Sequence, residues 1–234
     1  IRSCLVGSEM CIRDSLTGLP TETDDDTLGI AELGRNCVEL GKKYNSSASV
    51  TVSVGGFVPK PQTPFQWFGQ NTEKELRRKV ELLKNDLRGT KGVQLKWHDT
   101  RASLAEGITS RGDRRLGAVI EYVWRHGGTF QEWSEHFSID LWLEALAANG
   151  LDVEWYVYRH RTEDEVLPWD HLSAGLHKDF LWQDWRDALE ELGLEDCRWT
   201  PCYDCGACTG YGIEHVVASA LSLIHISEPT RQDR

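Results

Sequence analysis

Residues 50–54 read Val-Thr-Val-Ser-Val and run directly into Gly55-Gly56 and then VPKPQTP, a loop with three prolines in seven residues. Strict alternation of β-branched and small polar residues fits a strand, and the prolines forbid its continuation. The glycine pair marks either a bulge or a close approach of backbone to a ligand. Upstream, the turn TGLPTET and the acidic Asp24, Asp25 and Asp26 lead into a helix carrying Leu28, Ala31, Leu33, Val38 and Leu40. Those carboxylates sit at the positive end of the helix. Downstream, Thr72 with Glu75 has the form of a capping box, and Leu76, Val80, Leu83 and Leu87 make one stripe. VQLKWHD, residues 93–99, alternates like a further strand. Helix, strand, helix and strand in that order describe an α/β fold. In such folds the loops at strand C-termini are where ligands bind, which singles out the proline-rich loop.

From about Ala102 to Leu192 the pattern becomes helical, and the chain divides near residues 90–100 without a low-complexity linker or an internal repeat. Clear stripes are Leu116, Ile120, Val123 and Trp124; Trp142 and Leu146 before Asn149-Gly150; and Leu181, Trp185, Leu189 and Leu192 before Gly193. Ten tryptophans are a heavy load. Trp97, Trp124, Trp133, Trp142, Trp155, Trp169, Trp182, Trp185 and Trp199 read as core, with stacking on bases or a planar cofactor as the alternative. Glu135 beside His136 and Asp170 beside His171 are acid-imidazole neighbours, although adjacent residues rarely face the same way. Arg111, Arg114 and Arg115 in RGDRR either grip a phosphate or form a solvated helix start with Asp113 as cap.

Four cysteines, Cys197, Cys202, Cys205 and Cys208, fall within twelve residues in DCRWTPCYDCGAC. Thiolates so close together can converge on tetrahedral zinc or an iron-sulfur cluster. A secreted disulfide scaffold would spread its cysteines, whereas residues 38–196 have none. The net charge of -11 argues against broad nonspecific binding to nucleic acid or an anionic membrane. No apolar run is long enough to span a bilayer and no secretory signal is recognisable, so a cytoplasmic protein is expected.

The two ends look unlike the middle. IRSCLVGSEMCIRDS (1–15) and LSLIHISEPTRQDR (221–234) resemble translated sequencing-adapter read-through, and Cys4 and Cys11 leave the metal argument on that ground. The expected organisation is 16–99, 100–195 and the Cys-rich 196–220.

GLPTET, then a helix, a valine strand and FVPKPQTPFQW, resembles the last part of the radical S-adenosylmethionine (radical SAM) barrel, whose outline methylthiotransferases and elongator-type enzymes share. With KWHD, RGDRRL, WSEHF, LPWDH and the terminal cysteines, residues 17–210 are similar to an uncharacterised branch with a cobalamin-binding domain upstream and often a further domain downstream. The resemblance implies an α/β fold, the C-terminal part of a partial (β/α)6 barrel followed by a mainly helical, Trp-rich extension and a metal-type segment. It implies that Gly18, Glu22, Thr23, Val54, Gly55, Gly56, Phe57 and Pro59 line S-adenosylmethionine, largely through backbone groups. It implies a parent enzyme with a 4Fe-4S cluster, cobalamin through the upstream domain, and a reductant such as flavodoxin or ferredoxin. Cys197, Cys202, Cys205 and Cys208 would then hold an auxiliary cluster or a zinc ion. The family's CxxxCxxC is absent from this sequence, so this stretch is expected to be a fragment that is inactive alone. The alternative is a non-enzymatic zinc-binding module that contacts RNA or protein through RGDRR.

Overall fold

The computed structural model describes residues 10–215, with side chains from residue 14 onward. The Cys11 side chain, residues 1–9 and the closing segment 221–234 lie outside the described residues. The protein is a mixed α/β molecule that divides into two compact units, residues 1–61 with 67–162, and residues 62–66 with 163–234. The helices that begin at residue 100 thus belong to the first unit up to residue 162.

The first unit is built on a three-stranded, wholly parallel sheet of order β1-β2-β3, formed by Met10–Thr17, Ser49–Gly56 and Val93–Trp97. Helix α1 (Asp24–Lys42) links the first pair and α2 (Glu73–Asp86) the second. Register places Asp14 beside Ser53 and Leu16 beside Gly55, with Ser53 beside Lys96. Because side chains alternate, Asp14, Leu16, Ser53, Gly55 and Lys96 share one face and Val50, Val52, Val54, Val93 and Leu95 the other. The valine face is covered by Ala31 and Val38 of α1 and by Leu83 of α2. Burying each valine there contributes about 1.5–3 kcal/mol.

The stripe of α1 that meets the sheet is Thr27, Ala31, Gly34, Val38 and Gly41, not the leucine-bearing stripe. Small residues let the helix sit close: a Cβ on Gly34 would lie 2.9 Å from a Val52 methyl. Leu33 is left exposed as a result. The capping box also falls elsewhere. Thr23 and Asp26 cap each other reciprocally, whereas Glu75 accepts from Arg78 instead of closing back onto Thr72.

Helices α3 (Thr100–Arg111), α4 (Leu116–Arg125) and α5 (Ile139–Ala148) build a second apolar cluster around Ile108, Val119, Ala145 and Leu146. Tyr156 and Val157, from a π-helical turn over Glu154–Tyr158, complete it. That turn closes with Arg159 N–H donating to the Glu154 carbonyl at 3.1 Å. Its last carbonyls lack intrahelical donors and are satisfied from outside. Tyr156 accepts from Arg111 and Arg161, and Val157 accepts from the Gln70 amide.

In the second unit, Leu167, Trp169, Leu181 and Trp185 are buried around α6 (Lys178–Leu189). The Trp169 indole donates to Gln66 Oε1 at 2.6 Å, and Phe65 meets Trp185 edge-on. A short α7 (Ala207–Gly210) lies in the Cys-rich segment. Leu189 and Leu192 are exposed, contrary to the stripe expected of them. The tryptophans divide: Trp67, Trp142, Trp169 and Trp185 are buried and Trp182 is half-buried. Trp97, Trp124, Trp133, Trp155 and Trp199 are exposed, so the core reading fails for these five. Cations cover three of them: Lys84 over Trp97, Arg159 over Trp155 and Arg198 over Trp199. Among the described residues no helix is long and apolar enough to cross a membrane.

Candidate functional site

The loops leaving β1, β2 and β3 meet at the carboxyl edge of the sheet, where α/β proteins bind ligands. The first is the TGLPTET turn. Gly18 takes φ +91°, a left-handed conformation that favours glycine, and a Cβ there would lie 2.6 Å from a Leu76 methyl. The turn is organised by the Glu22 carboxylate. Its Oε1 accepts from Thr17 Oγ1 and Thr27 Oγ1, both at 2.7 Å, and from Lys79 Nζ at 2.9 Å. Its Oε2 accepts from the backbone amides of Gly18 at 2.7 Å and Leu19 at 3.0 Å. Glu22 and Lys79 are a buried ion pair, with side chains 7% and 3% exposed. Burial works against ionisation of Glu22, but hydrogen bonds from Thr27, Lys79, Thr17 and Leu19 outweigh it and hold the carboxyl below its ordinary value.

The second loop starts at Gly55-Gly56-Phe57, where the Phe57 amide donates to the Thr17 carbonyl and so ties the β2 exit to the β1 exit. The third starts at His98, whose amide donates to the Val54 carbonyl. Between them opens a cleft of about 620 Å³, lined by the ends of all three strands. Leu16, Gly55, Gly56 and Phe57 supply its backbone-rich floor. Ser53, Lys60, His98, Ser103 and Glu106 supply its polar chemistry. Lys60 and Glu106 pair across the cleft. A Cβ on Gly55 would meet only a Leu16 methyl, at 3.4 Å, so the missing side chain leaves usable space rather than relieving a clash.

The residues expected to line a cofactor therefore separate into groups. Gly55, Gly56 and Phe57 line the cleft. Gly18 and Glu22 shape the turn from within, and Thr23 caps α1. Val54 is 1% exposed in the core, and the Pro59 carbonyl accepts from buried Arg111. Sequence reading missed Lys60, His98, Ser103 and Glu106. The strand-end position of KWHD could have marked His98; nothing in the helical pattern of α3 marks Ser103 or Glu106.

Arg111 is fully buried and donates to the carbonyls of Pro59, Phe68 and Tyr156. Burial, and then the charges of Arg161 and Arg159, work against its protonated form. The three arginines of RGDRR thus do not form one surface patch. Asp113 instead bonds Arg115 and the Tyr156 hydroxyl, and α4 starts without a side-chain cap. Hydrogen bonding from Arg115 comes first in holding the Asp113 carboxyl down to about 2. Asp170 accepts from the Leu167 amide and from Lys178, not from His171. His136 tilts against Phe130, and Glu135 accepts from Ser134.

Cys197, Cys202, Cys205 and Cys208 are free thiols; the first two are exposed and the others half-buried. Among the described residues no group of three or more Cys, His, Asp or Glu is arranged to hold a metal ion. One local feature is knuckle-like. The Asp204 amide donates to Cys202 Sγ at 3.3 Å, and Asp204 and Gly206 both take positive φ. The His177 amide donates to the Cys205 carbonyl, which places an imidazole beside this loop.

Fold and cleft define a mixed α/β protein with a cleft at the carboxyl edge of a parallel sheet. No family model, no curated protein and no solved structure matches the chain.

Proposed function

We propose that the first unit is the closing part of a (β/α) barrel of the radical SAM type, and that its strand-end cleft binds the adenosyl portion of S-adenosylmethionine. Sequential parallel strands with helices packed against one face and a polar opposite face suit a barrel wall better than a doubly wound sheet, which carries helices on both faces. The observation that carries the reading is the cleft itself, floored by Gly55, Gly56 and Phe57 next to the TGLPTET turn. Backbone amides and carbonyls at such a floor can read a nucleoside edge, and an added Cβ at Gly55 would project into the space it needs. S-adenosylmethionine, once split by one electron, supplies a 5'-deoxyadenosyl radical to its parent enzyme. This chain's share is binding and orientation. It lacks CxxxCxxC, and its four C-terminal thiols are not arranged around a common centre, so the residues present do not fit the cleaving cluster and no redox step is assigned to them.

Isothermal calorimetry with S-adenosylhomocysteine, a redox-inert stand-in, tests the reading. Gly55→Val is the informative variant, because its contact with Leu16 is an ordinary one and strand β2 can accept it. Binding weakened at least about tenfold, or ~1.4 kcal/mol, with an unchanged melting midpoint supports the proposal. No binding by the unsubstituted protein, or equal binding by the variant, sinks it.

A second reading, a metal knuckle at Cys202–Cys208, draws on the Asp204 amide-to-sulfur bond and the two left-handed residues beside it. For an RNA- or protein-binding role through RGDRR, only Arg114 and Arg115 are exposed, because Arg111 is buried.

A further inference from the structure

Helix α3 is unusual in what it shows to solvent. Its buried side carries Leu104, Ile108 and Arg111, while the outer side presents Ala102, Ala105, Glu106 and Thr109 at helical spacing. This outer side is one wall of a second cleft, about 440 Å³ in volume, whose other wall is Gln131, Glu132, Ser134, Phe137 and Trp142. The facing loop is held in place by one side chain. Gln131 Nε2 donates to the His136 carbonyl at 2.6 Å, and its Oε1 accepts from the Ser138 amide and the Trp142 indole at 3.2 and 3.3 Å. The same loop holds Phe130 at φ +54°, a region that costs a non-glycine residue about 1–2 kcal/mol. Glu106 belongs to both clefts, so this one adjoins the strand-end cleft.

Its chemistry is specific enough to name a ligand class. The walls are largely apolar, with aromatic surface from Phe137 and Trp142, which is the usual make-up of a small-molecule site. Asp99, Glu106 and Glu132 are the charged groups along its lining. Asp99 is engaged by Arg101 and Glu106 by Lys60. Glu132 has no hydrogen-bond or ion-pair partner among the described residues. An apolar, aromatic-walled cleft with one unneutralised carboxylate favours a cation that has a flat apolar body, through charge and cation–π attraction together.

We infer that the cleft between α3 and the 129–137 loop is a binding site for a small aromatic amine, with the ammonium at Glu132 and the ring between Ala102 and Trp142. The inference does not rest on the adenosyl reading. Loss of S-adenosylhomocysteine binding at Gly55→Val is read in another cleft, and each proposal can fail alone.

Saturation-transfer NMR and calorimetry with tryptamine and indole-3-propionate, which share a ring and differ in charge, provide the test. Tryptamine is expected to bind at least about fivefold tighter, the preference one solvent-facing ion pair supplies. Glu132→Gln, at an exposed position without partners, brings the two within about twofold. Ala102→Leu, an exposed helical substitution that narrows the cleft, lowers binding of both by about tenfold or more, while circular dichroism and the melting midpoint stay unchanged. No saturation transfer to tryptamine, equal affinity for the two probes, or tryptamine binding indifferent to Ala102→Leu and Glu132→Gln overturns the inference.

Discussion

Replacing Glu22 by Gln should destabilise the first unit more than replacing Lys79 by Met, although the two side chains form one ion pair. The asymmetry follows from counting donors. Five donors converge on the Glu22 carboxylate, two on Oε2 and three on Oε1. A glutamine has one acceptor oxygen and an NH2 group, so whichever way it sits, its amide nitrogen meets donors. The least costly orientation keeps its oxygen on the Gly18 and Leu19 amides and lets the Thr17 and Thr27 hydroxyls rotate to accept. Lys79, with a side chain only 3% exposed, is then left as a buried charge without its anion. Breaking a buried pair in that way costs about 3–5 kcal/mol. Lys79→Met removes the lysine charge and leaves the buried Glu22 carboxylate still held by four donors, so the loss is about 1–2 kcal/mol, near that of the hydrogen bonds Lys79 gives to Glu22 and Thr27. Urea unfolding followed by circular dichroism gives both values, and the double variant gives a coupling of about 1–3 kcal/mol. Equal losses, a larger loss at Lys79→Met, or zero coupling would show that the carboxylate does not organise this turn.

The same network sets a pH dependence. The folded carboxyl lies below its ordinary value of 4.5, so in that range the unfolded chain binds more protons than the folded one. Stability contributed by Glu22 is therefore complete above about pH 4.5 and is lost as pH falls through the folded value. Glu22→Gln should flatten that part of the acid limb.

Three further outcomes are expected. Arg111→Met deprives the Pro59 and Phe68 carbonyls of their donor and should cost about 3 kcal/mol in urea unfolding, with Arg111→Lys recovering only part because an ammonium lacks the guanidinium's fork. Gly69→Ala places a Cβ 1.9 Å from the Tyr158 carbonyl oxygen, so the π-helical turn must shift, and a drop of about 2 kcal/mol or more is expected in the same assay. Anaerobic metal analysis separates the accounts of the cysteines: one zinc per chain, weakened by Cys202→Ser, supports the knuckle; iron with acid-labile sulfide supports a cluster; neither metal retained after dialysis removes both.

Strands β2 and β3 were legible because their signals are local, whereas β1 begins inside the stretch that resembles adapter read-through and was not read as a strand. Val-Thr-Val-Ser-Val meets a glycine pair, and Asp24 to Asp26 announce a helix start; both elements appear where the pattern puts them. The face chosen by α1 was not legible, because it depends on how near the helix can come to β2. Gly34 and Gly41 win that face over Leu33 by allowing close approach, a preference no hydrophobicity pattern contains. The exposed tryptophans have a similar origin. In α4, Val119 and Val123 turn into the core, and Ile120 and Trp124, one position further on, are left outside.

For the site, residue type misled where backbone demand was strongest. Glu22 and Arg111 carry the charges that sequence reasoning assigns to ligands, yet each is consumed by main-chain groups: Glu22 by the amides of its own turn, Arg111 by two carbonyls of the β2–α2 connection and one of the π-helical turn. A tight turn such as TGLPTET leaves amides unpaired, and a proline-rich loop leaves carbonyls that no neighbouring proline amide can satisfy, so both segments need an ionic side chain to close. That need separates the charges spent on main-chain groups from those that line the cleft. At the carboxyl edge Lys60, His98 and Glu106 line it from a loop, a strand end and a helix, with Lys60 paired to Glu106.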